Sequence, residues 1–229
     1  MTVRQIRLAA DISMTLVLPL LMAYSLIGEA FHEIAGTAML VLFIVHHILN
    51  RRWYGALFKG RYNASRVFRT VLDTLLLVFM ILQPASGILM SKHLYTFLPS
   101  LPLSAQVRGV HMLLAYWGYV LMCMHAGTHL TVLFSKLGRQ KNGIRIPVYC
   151  ILGAISAYGC HAFVKRGFPG YMAGTTAFAF FDYSEPLAFF ILDYLAVMVL
   201  FFMTGLVLIS VLNRCGRRER QGRQQNTSS

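Results

Sequence analysis

Long apolar blocks separated by short polar gaps are the dominant pattern along this chain. Six blocks are present, and each is long enough, or nearly so, to cross about 30 Å of hydrocarbon as a helix. They cover residues 6–27, 31–49, 70–91, 106–134, 146–164 and 187–212. No stretch keeps the alternation of apolar and polar residues that a membrane β-barrel needs. The pattern predicts an all-α integral membrane bundle of six transmembrane helices, numbered here as spans one to six.

Positive charge is concentrated in alternate gaps between these spans. All but four of the 21 Lys and Arg residues lie at the N-terminus, in the gaps 50–69 and 135–145, or in the C-terminal tail. The four exceptions are Lys92, Arg108, Lys165 and Arg166. The positive-inside rule then places both termini in the cytoplasm. A cleaved signal peptide is the alternative, because Arg4 and Arg7 precede an apolar stretch, but no clear small-residue cleavage site follows.

Composition narrows the class of protein further. Hydrophobic residues make up 57% of the 229 residues and charged residues 13%, against about 25% charged in soluble domains. The net charge of +13 does not indicate nucleic-acid binding, which needs a basic face on a soluble module. We expect one transmembrane domain over 1–216 and a polar, disordered cytoplasmic tail over 217–229. The glycine- and aromatic-rich segment 165–186 is expected to lie on the membrane surface.

Histidines are the informative polar residues, and six of the eight fall in two spans. They are His32, His46 and His47 in span two, and His111, His125 and His129 in span four. Histidine inside a membrane span is unfavourable, so its presence indicates a function. His32 and His46 are 14 residues apart, and so are His111 and His125. This spacing is about 40° short of four full turns and rises about 21 Å, so each pair shares one helix face.

Spans two and four run in the same direction under the predicted topology. Side by side, they present two facing histidine pairs at two depths. Two imidazoles facing each other across a gap are the axial ligands of a low-spin b-type haem, and helix bundles hold such ligands on facing helices. We therefore predict two haems between these spans, bound non-covalently because no Cys-x-x-Cys-His motif occurs. His32 and His111 are the predicted ligands of the outer haem, and His46 and His125 those of the inner haem.

Register decides between neighbouring histidines. His47 lies about 60° away from the helix face that carries His32. His129 lies on the same helix face as His111 but about 27 Å from it along the axis. Only the two 14-residue spacings keep both haems level, which favours His46 and His125. His47 and His129 then line the cytoplasmic end, where they bond a haem propionate or a quinone, or serve as interfacial polar anchors.

Three residues near the histidines are secondary candidates. Gly36 and Gly118 fall between the predicted ligands and would let a flat macrocycle approach the backbone, although helix packing explains them equally well. Arg108 is placed to pair with the propionates of the outer haem, or is only a loop charge.

Carboxylates also occur in or near the spans. Asp11, Asp73 and Asp193 are candidates for proton conduction, quinone binding or pairing with arginines. For Asp73 we expect pairing, because Arg66 and Arg69 precede it by about two turns and one turn of helix.

Three segments carry a family resemblance. They are His32-Glu33-x-x-Gly36 through His46-His47-x-x-Asn50-x-x-Trp53, His111-x13-His125-x3-His129, and Phe181-Asp182-Tyr183-Ser184-Glu185-Pro186 before the last span. Over nearly its whole length the chain resembles the flavinylation-associated cytochromes, small bacterial membrane proteins formerly grouped as a domain of unknown function. More distantly, the four-histidine layout is similar to the cytochrome b of respiratory complexes and to haem-bearing anchor subunits of hydrogenases and formate dehydrogenases.

The resemblance implies a diheme cytochrome in the bacterial cytoplasmic (inner) membrane that carries electrons from the quinone pool to an extracytoplasmic flavoprotein or other redox protein. The chain has no flavin-binding motif of its own. A transmembrane ferric or other metalloreductase, which would need a separate electron donor, and a haem-bearing dehydrogenase anchor are the redox alternatives. A transporter or structural membrane anchor with interfacial histidines is the non-redox alternative, although no inverted repeat is apparent.

Overall fold

The computed structural model describes residues 2–97, 104–130, 142–176, 178–179 and 181–226. Within these ranges the chain forms helices joined by short connections, with no β-strand. The helices are α1 (Val3–Met22), α2 (Tyr24–Ile27), α3 (Glu29–Leu49), α4 (Arg52–Ala56), α5 (Ala64–Leu89), α6 (Ser104–His129), α7 (Asn142–Lys165), α8 (Phe168–Met172) and α9 (Leu187–Asn226).

Six of these helices, α1, α3, α5, α6, α7 and α9, are long and apolar enough to cross a membrane. This confirms the prediction of an all-α chain with six potential membrane spans. The orientation of the termini stays a prediction. Residues 131–141, which hold most of the basic gap after span four and the end of its predicted block, lie outside the described ranges.

Helix ends differ from the predicted blocks at three places. The first block breaks at Ala23, which separates α1 from the single turn α2. Helix α5 begins earlier than predicted, because the Asn63 side chain caps it by accepting the Arg66 backbone N–H at 2.9 Å. Helix α9 continues to Asn226, so the predicted disorder of the tail is wrong over 217–226. The Arg, Gln and Glu residues there favour helix and extend one that the last span has already nucleated.

Helix α6 packs against α5 and against α9. Helices α6 and α9 approach each other closely, because a Cβ at Gly127 would overlap the Phe202 carbonyl group and a Cβ at Gly205 would overlap that of Met124. Small residues at such crossings let two backbones come into contact within a membrane. Tyr119 on α6 bonds Tyr194 on α9, and about two turns further along both helices Gly127 meets Phe202, so α6 and α9 run parallel.

Side-chain contacts also show the relative directions of α1, α3 and α6. Arg7, near the start of α1, donates to the Leu49 carbonyl oxygen at the end of α3 at 2.6 Å, so these helices are antiparallel. His32, near the start of α3, lies beside His111, near the start of α6. Helices α3 and α6 therefore run in the same direction, as predicted. We call the two ends of the bundle the His32 end and the His46 end.

An aromatic core fills the space between α6, α8 and α9. Tyr116 stacks on Tyr171 with ring centroids 4.2 Å apart, and the Tyr119 hydroxyl donates to the Tyr194 carbonyl oxygen at 2.6 Å. Phe168 is fully buried against these rings. Because Phe168 and Tyr171 belong to segment 165–186, the predicted surface position of that segment is wrong for α8. Burying its two large rings in the core is favourable.

An ion-pair network at the His32 end holds the segment that precedes α9. Arg166 bonds both carboxylate oxygens of Glu185 at 2.7 Å and also pairs with Asp193, which is 1% exposed. Lys165 lies 2.8 Å from the same Asp193 carboxylate. The Arg166 guanidinium holds the pKa of Glu185 below its usual value. Among the alternatives for Asp193, pairing with an arginine is therefore the one observed.

Candidate functional site

The His32 and His111 side chains lie side by side at the His32 end. Their ring centroids are 6.3 Å apart and their planes are inclined by 70°. Two imidazoles bound at about 2.0–2.1 Å to opposite sides of one metal ion have centroids roughly 6 Å apart. The separation of this pair fits two axial ligands of one iron.

Helix α5 positions the His111 ring. The Ser86 hydroxyl lies 2.9 Å from His111 Nδ1, and the Gln83 amide nitrogen lies 3.2 Å from Nε2. Gly87 gives the ring room, because a Cβ there would lie 3.3 Å from Cε1. A partner at Nδ1 fixes the orientation of a histidine ligand, and metal-binding histidines usually have one. Gln83 lies at Nε2, the nitrogen that would hold the metal, so its amide would have to move aside when His111 binds one. Ser86 and Gln83 were missed in the sequence, although polar residues three apart on an apolar span share one helix face.

Tyr24 packs edge-on against His32, with ring centroids 5.2 Å apart. The Tyr24 hydroxyl donates to Glu29 at 2.5 Å, and burial together with this bond raises the pKa of Tyr24 to about 12. His32 Nδ1 is buried and has no hydrogen-bond partner among the described residues. A buried nitrogen without a partner is unfavourable, so the His32 ring keeps capacity for a further ligand.

At the His46 end, two of the predicted ligands each bond a carboxylate. His46 Nδ1 lies 2.8 Å from Asp11 Oδ1, and His125 Nδ1 lies 2.7 Å from Asp73 Oδ1. Trp53 also donates to Asp73, through Nε1 at 3.2 Å. Carboxylate–histidine pairs orient metal-bound imidazoles and leave the other ring nitrogen for the metal. The expected pairing of Asp73 with preceding arginines is wrong, because the packing of α5 on α6 brings the His125 imidazole to it instead.

The histidines of the His46 end form one cluster. The His47 ring centroid is 5.5 Å from that of His46, and His47 also interacts electrostatically with His125. His47 Nδ1 lies 2.7 Å from the Tyr54 hydroxyl, and the His129 ring centroid is 4.7 Å from that of His125. Among the described residues, His46 and His125 make no ring contact with each other like that of the pair at the opposite end. The choice between His46 and His47, and between His125 and His129, stays open.

The two predicted glycines border open space. Gly118 is buried, yet a Cβ at this position would meet no atom within 4 Å of the described residues. A Cβ at Gly36 would also meet none. Close packing of another described helix therefore does not account for either glycine. Room beside both histidine-bearing helices is what a flat macrocycle requires.

Arg108 lies at the His32 end with an exposed side chain. Its guanidinium is 5.8 Å from the centroid of the Phe178 ring, and it interacts electrostatically with Tyr24, which packs on His32. The charge is therefore close to the first histidine pair. Its pairing with a haem propionate stays a prediction.

The donor set fits a haem better than a bare metal ion. Within the described ranges, no three His, Cys, Asp or Glu side chains converge as they would around a metal ion. A haem needs only axial side chains from the protein, because the macrocycle supplies the remaining ligands. His32 and His111 meet that requirement by their separation, whereas His46 and His125 have carboxylates that orient their rings but, among the described residues, no comparable separation between them.

No match to this chain is found among models of known protein families, among curated proteins or among solved structures. The resemblance to flavinylation-associated cytochromes therefore stays a prediction from the sequence motifs. Function is inferred from the residues of the two histidine sites and from the membrane-spanning length of the helices that carry them.

Proposed function

We propose that this chain is a transmembrane diheme b-type cytochrome that carries electrons across the bacterial cytoplasmic membrane between quinol and an extracytoplasmic redox partner. The observation that supports it most directly is the His32–His111 pair, two imidazoles 6.3 Å apart on parallel helices of membrane-spanning length. The family resemblance makes a flavinylated protein the first partner to test.

Each end of the bundle holds one haem in this proposal. His32 and His111 are the axial ligands at the His32 end, and His46 and His125 are the axial ligands at the His46 end. Haem, when bound, supplies one-electron oxidation and reduction of its iron. On each of α3 and α6, the two ligand histidines are 14 residues apart, which places the two haem levels about 21 Å apart along the helices.

The chain itself contributes orientation, local charge and exclusion of water. Ser86 holds His111 by a neutral hydrogen bond, whereas Asp73 holds His125 by a charged one. Tyr119, on α6 between the two ligand levels, is fully buried against Phe168 and Tyr194 and so helps to hold α6 in place. These features set the environment in which electrons pass from one end to the other.

Visible spectroscopy tests the proposal. We expect a reduced-minus-oxidised spectrum of b-type haem and a pyridine haemochrome count of two haems per chain in protein purified from haem-sufficient cells. His32→Ala and His125→Ala should each keep one haem. His93→Ala and His161→Ala are matched controls that should keep two, because these histidines belong to neither site. Two haems in His32→Ala contradict the ligand assignment, and a wild-type protein without haem supports a transporter or structural anchor instead.

A further inference from the structure

The connection between α3 and α5 forms a strongly basic surface at the His46 end. Residues 51–62, called here the basic loop, contain α4 and the turns after it. Four of its cations are exposed and form no ion pair with the described residues: Arg51, Arg52, Lys59 and Arg61. No acidic residue occurs between Glu33 and Asp73, so the adjacent sequence does not neutralise this charge.

An exposed aromatic ring lies among these cations. Phe58 is 93% exposed, the highest value for a large hydrophobic residue in the described part of the chain. The loop joins the end of α3 at Leu49 to the start of α5 at Ala64, so it lies where two potential spans leave the membrane. At such a boundary, aromatic rings are stabilised among lipid headgroups, whereas in water the exposed ring gains nothing.

The basic loop is held in one shape by Arg66. The Arg66 guanidinium donates to the Ala56 carbonyl oxygen at 2.6 Å and to the Arg61 carbonyl oxygen at 3.3 Å, and it lies 4.2 Å from the Tyr62 ring centroid. Gly60 completes the turn with φ +79°, and a Cβ there would lie 3.0 Å from Arg66 Nη1. The Arg66 contacts therefore give the loop that carries the cations and Phe58 a defined conformation.

The other side of the loop is fixed to the bundle. Trp53 donates to Asp73 on α5 at 3.2 Å, and the Tyr54 hydroxyl lies 2.7 Å from His47 on α3. Inward-facing Trp53 and outward-facing Phe58 give the loop one face toward the protein and one face away from it. Its exposed face is thus defined by the fold.

We propose that the basic loop binds the phosphate groups of anionic phospholipids in the leaflet at the His46 end, with Phe58 inserted among the headgroups. Lys and Arg beside a membrane are attracted to anionic lipids, and guanidinium groups match phosphate geometry. Basic residues that only orient the chain in the membrane would not require a loop conformation held by Arg66 or an exposed aromatic ring beside them. The ring at the membrane boundary favours a lipid over a soluble acidic protein. None of the proposed haem ligands contacts the lipid, although Tyr54 and Trp53 join the loop to His47 and Asp73 at the His46 end, so lipid binding is measured separately from haem content.

Native mass spectrometry of the full-length protein in detergent, titrated with short-chain phosphatidylglycerol, tests this proposal. Phosphatidylcholine of the same chain length is the neutral reference. The variant K59Q/R61Q removes two loop cations, and R4Q/R214Q removes two exposed cations from the same end of the bundle outside the loop. We expect K59Q/R61Q to bind phosphatidylglycerol roughly 30-fold more weakly, since each cation near an anionic surface contributes about fivefold. R4Q/R214Q should change binding by less than about threefold.

Two further variants separate shape from charge. Arg66→Gln keeps the four exposed cations but removes the Arg66 contacts, and Phe58→Ser removes the ring without changing charge. Both should weaken phosphatidylglycerol binding several-fold, whereas Phe97→Ser, a 78% exposed ring that follows α5, should not. Thermal unfolding is measured for each variant, and only variants that unfold like the wild type are compared.

Four results would overturn the proposal. The first is equal binding of the two lipids by the wild type. The second is an equal loss of binding in K59Q/R61Q and R4Q/R214Q, which would mean unspecific surface charge. The third is full competition by glycerol 3-phosphate at the lipid concentration, which would mean a free-phosphate site. The fourth is binding of soluble polyglutamate, lost in K59Q/R61Q, without a preference between the lipids, which would mean an acidic protein partner.

Discussion

Two glycines on α6 differ in their surroundings: Gly127 packs against the α9 backbone, whereas Gly118 borders open space. A larger side chain should therefore impair folding at Gly127 and haem binding at Gly118. At Gly127, an added Cβ would lie 2.9 Å from the Phe202 carbonyl carbon, against about 3.5–4.0 Å for ordinary carbon contacts. Backbone cannot rotate away, so α9 must withdraw from α6. Such overpacking costs about 1–3 kcal/mol, against a gain of about 1 kcal/mol when alanine replaces glycine in a helix. We expect Gly127→Ala to be destabilised by up to about 2 kcal/mol.

At Gly118, the same reasoning predicts the reverse. No described atom lies within 4 Å of an added Cβ, so Gly118→Leu should be at least as stable as wild type, with a gain of up to about 0.8 kcal/mol from replacing a helical glycine. Its side chain would occupy the space beside the histidine-bearing helices, so haem binding should fail. Both variants are expressed in haem-deficient and haem-sufficient cells. Thermal unfolding of the first preparation and the haemochrome count of the second are then compared.

Either of two outcomes for Gly118→Leu would refute this reasoning. Unfolding as easy as that of Gly127→Ala would mean that the space beside Gly118 is filled. Two retained haems per chain would mean that the macrocycle does not pass this position. Gly153→Ala is the control for the glycine-to-alanine change itself, because a Cβ there also meets nothing within 4 Å.

Two predictions concern the His32 end. Glu33 accepts the Ser91 hydroxyl at 2.6 Å and the three backbone N–H groups of residues 92–94, so Glu33→Gln should lose about 2 kcal/mol of stability and expose residues 91–97 to protease. Arg166 lowers the pKa of Glu185 from 4.5, so their pair stabilises the fold above that pH and stops doing so as the pH falls below it. The difference in unfolding temperature between wild type and Glu185→Gln should be constant above about pH 5.5 and shrink in acid; a constant difference down to pH 3 would contradict this.

The features that depend on period and composition were predictable from the sequence. Six apolar blocks predicted the six spans, because a helix that rises 1.5 Å per residue needs about 20 apolar residues to cross about 30 Å of hydrocarbon. The approach of His32 to His111 followed from equal spacing on two helices that run in the same direction. The first inference needs no knowledge of how the helices are rotated about their axes, whereas the second rested on the assumption that the two histidine faces turn toward each other.

Features that depend on that rotation were not predictable. Asp73 has Arg69 one turn before it, yet its partner is His125, because α5 turns this face toward α6. Asp11 bonds His46 for the same kind of reason, since α1 lies against α3. The burial of Phe168 was also missed, because local composition does not say whether an aromatic loop segment meets lipid or folds back onto a core.

The two histidine sites differ in the charge of their hydrogen-bond partners. At the His32 end, His111 Nδ1 bonds the neutral hydroxyl of Ser86. At the His46 end, both His46 and His125 bond carboxylates, from Asp11 and Asp73. A carboxylate at Nδ1 makes an imidazole a stronger donor and so favours oxidised iron. The proposed haem at the His46 end should therefore have the lower reduction potential.

If both proposed haems are bound, this asymmetry gives electron transfer a direction. Electrons would move toward the higher potential, from the His46 end to the His32 end, which is outward under the predicted topology. A redox titration of the purified protein should resolve two midpoint potentials, and Asp73→Asn should raise only the lower one, because it removes a charge 2.7 Å from His125 and leaves His111 untouched. Ser86→Ala is the matched change at the other end and should leave the lower potential in place. If Asp73→Asn moves the higher potential instead, the haem at the His46 end has the higher potential and the proposed direction of flow is reversed.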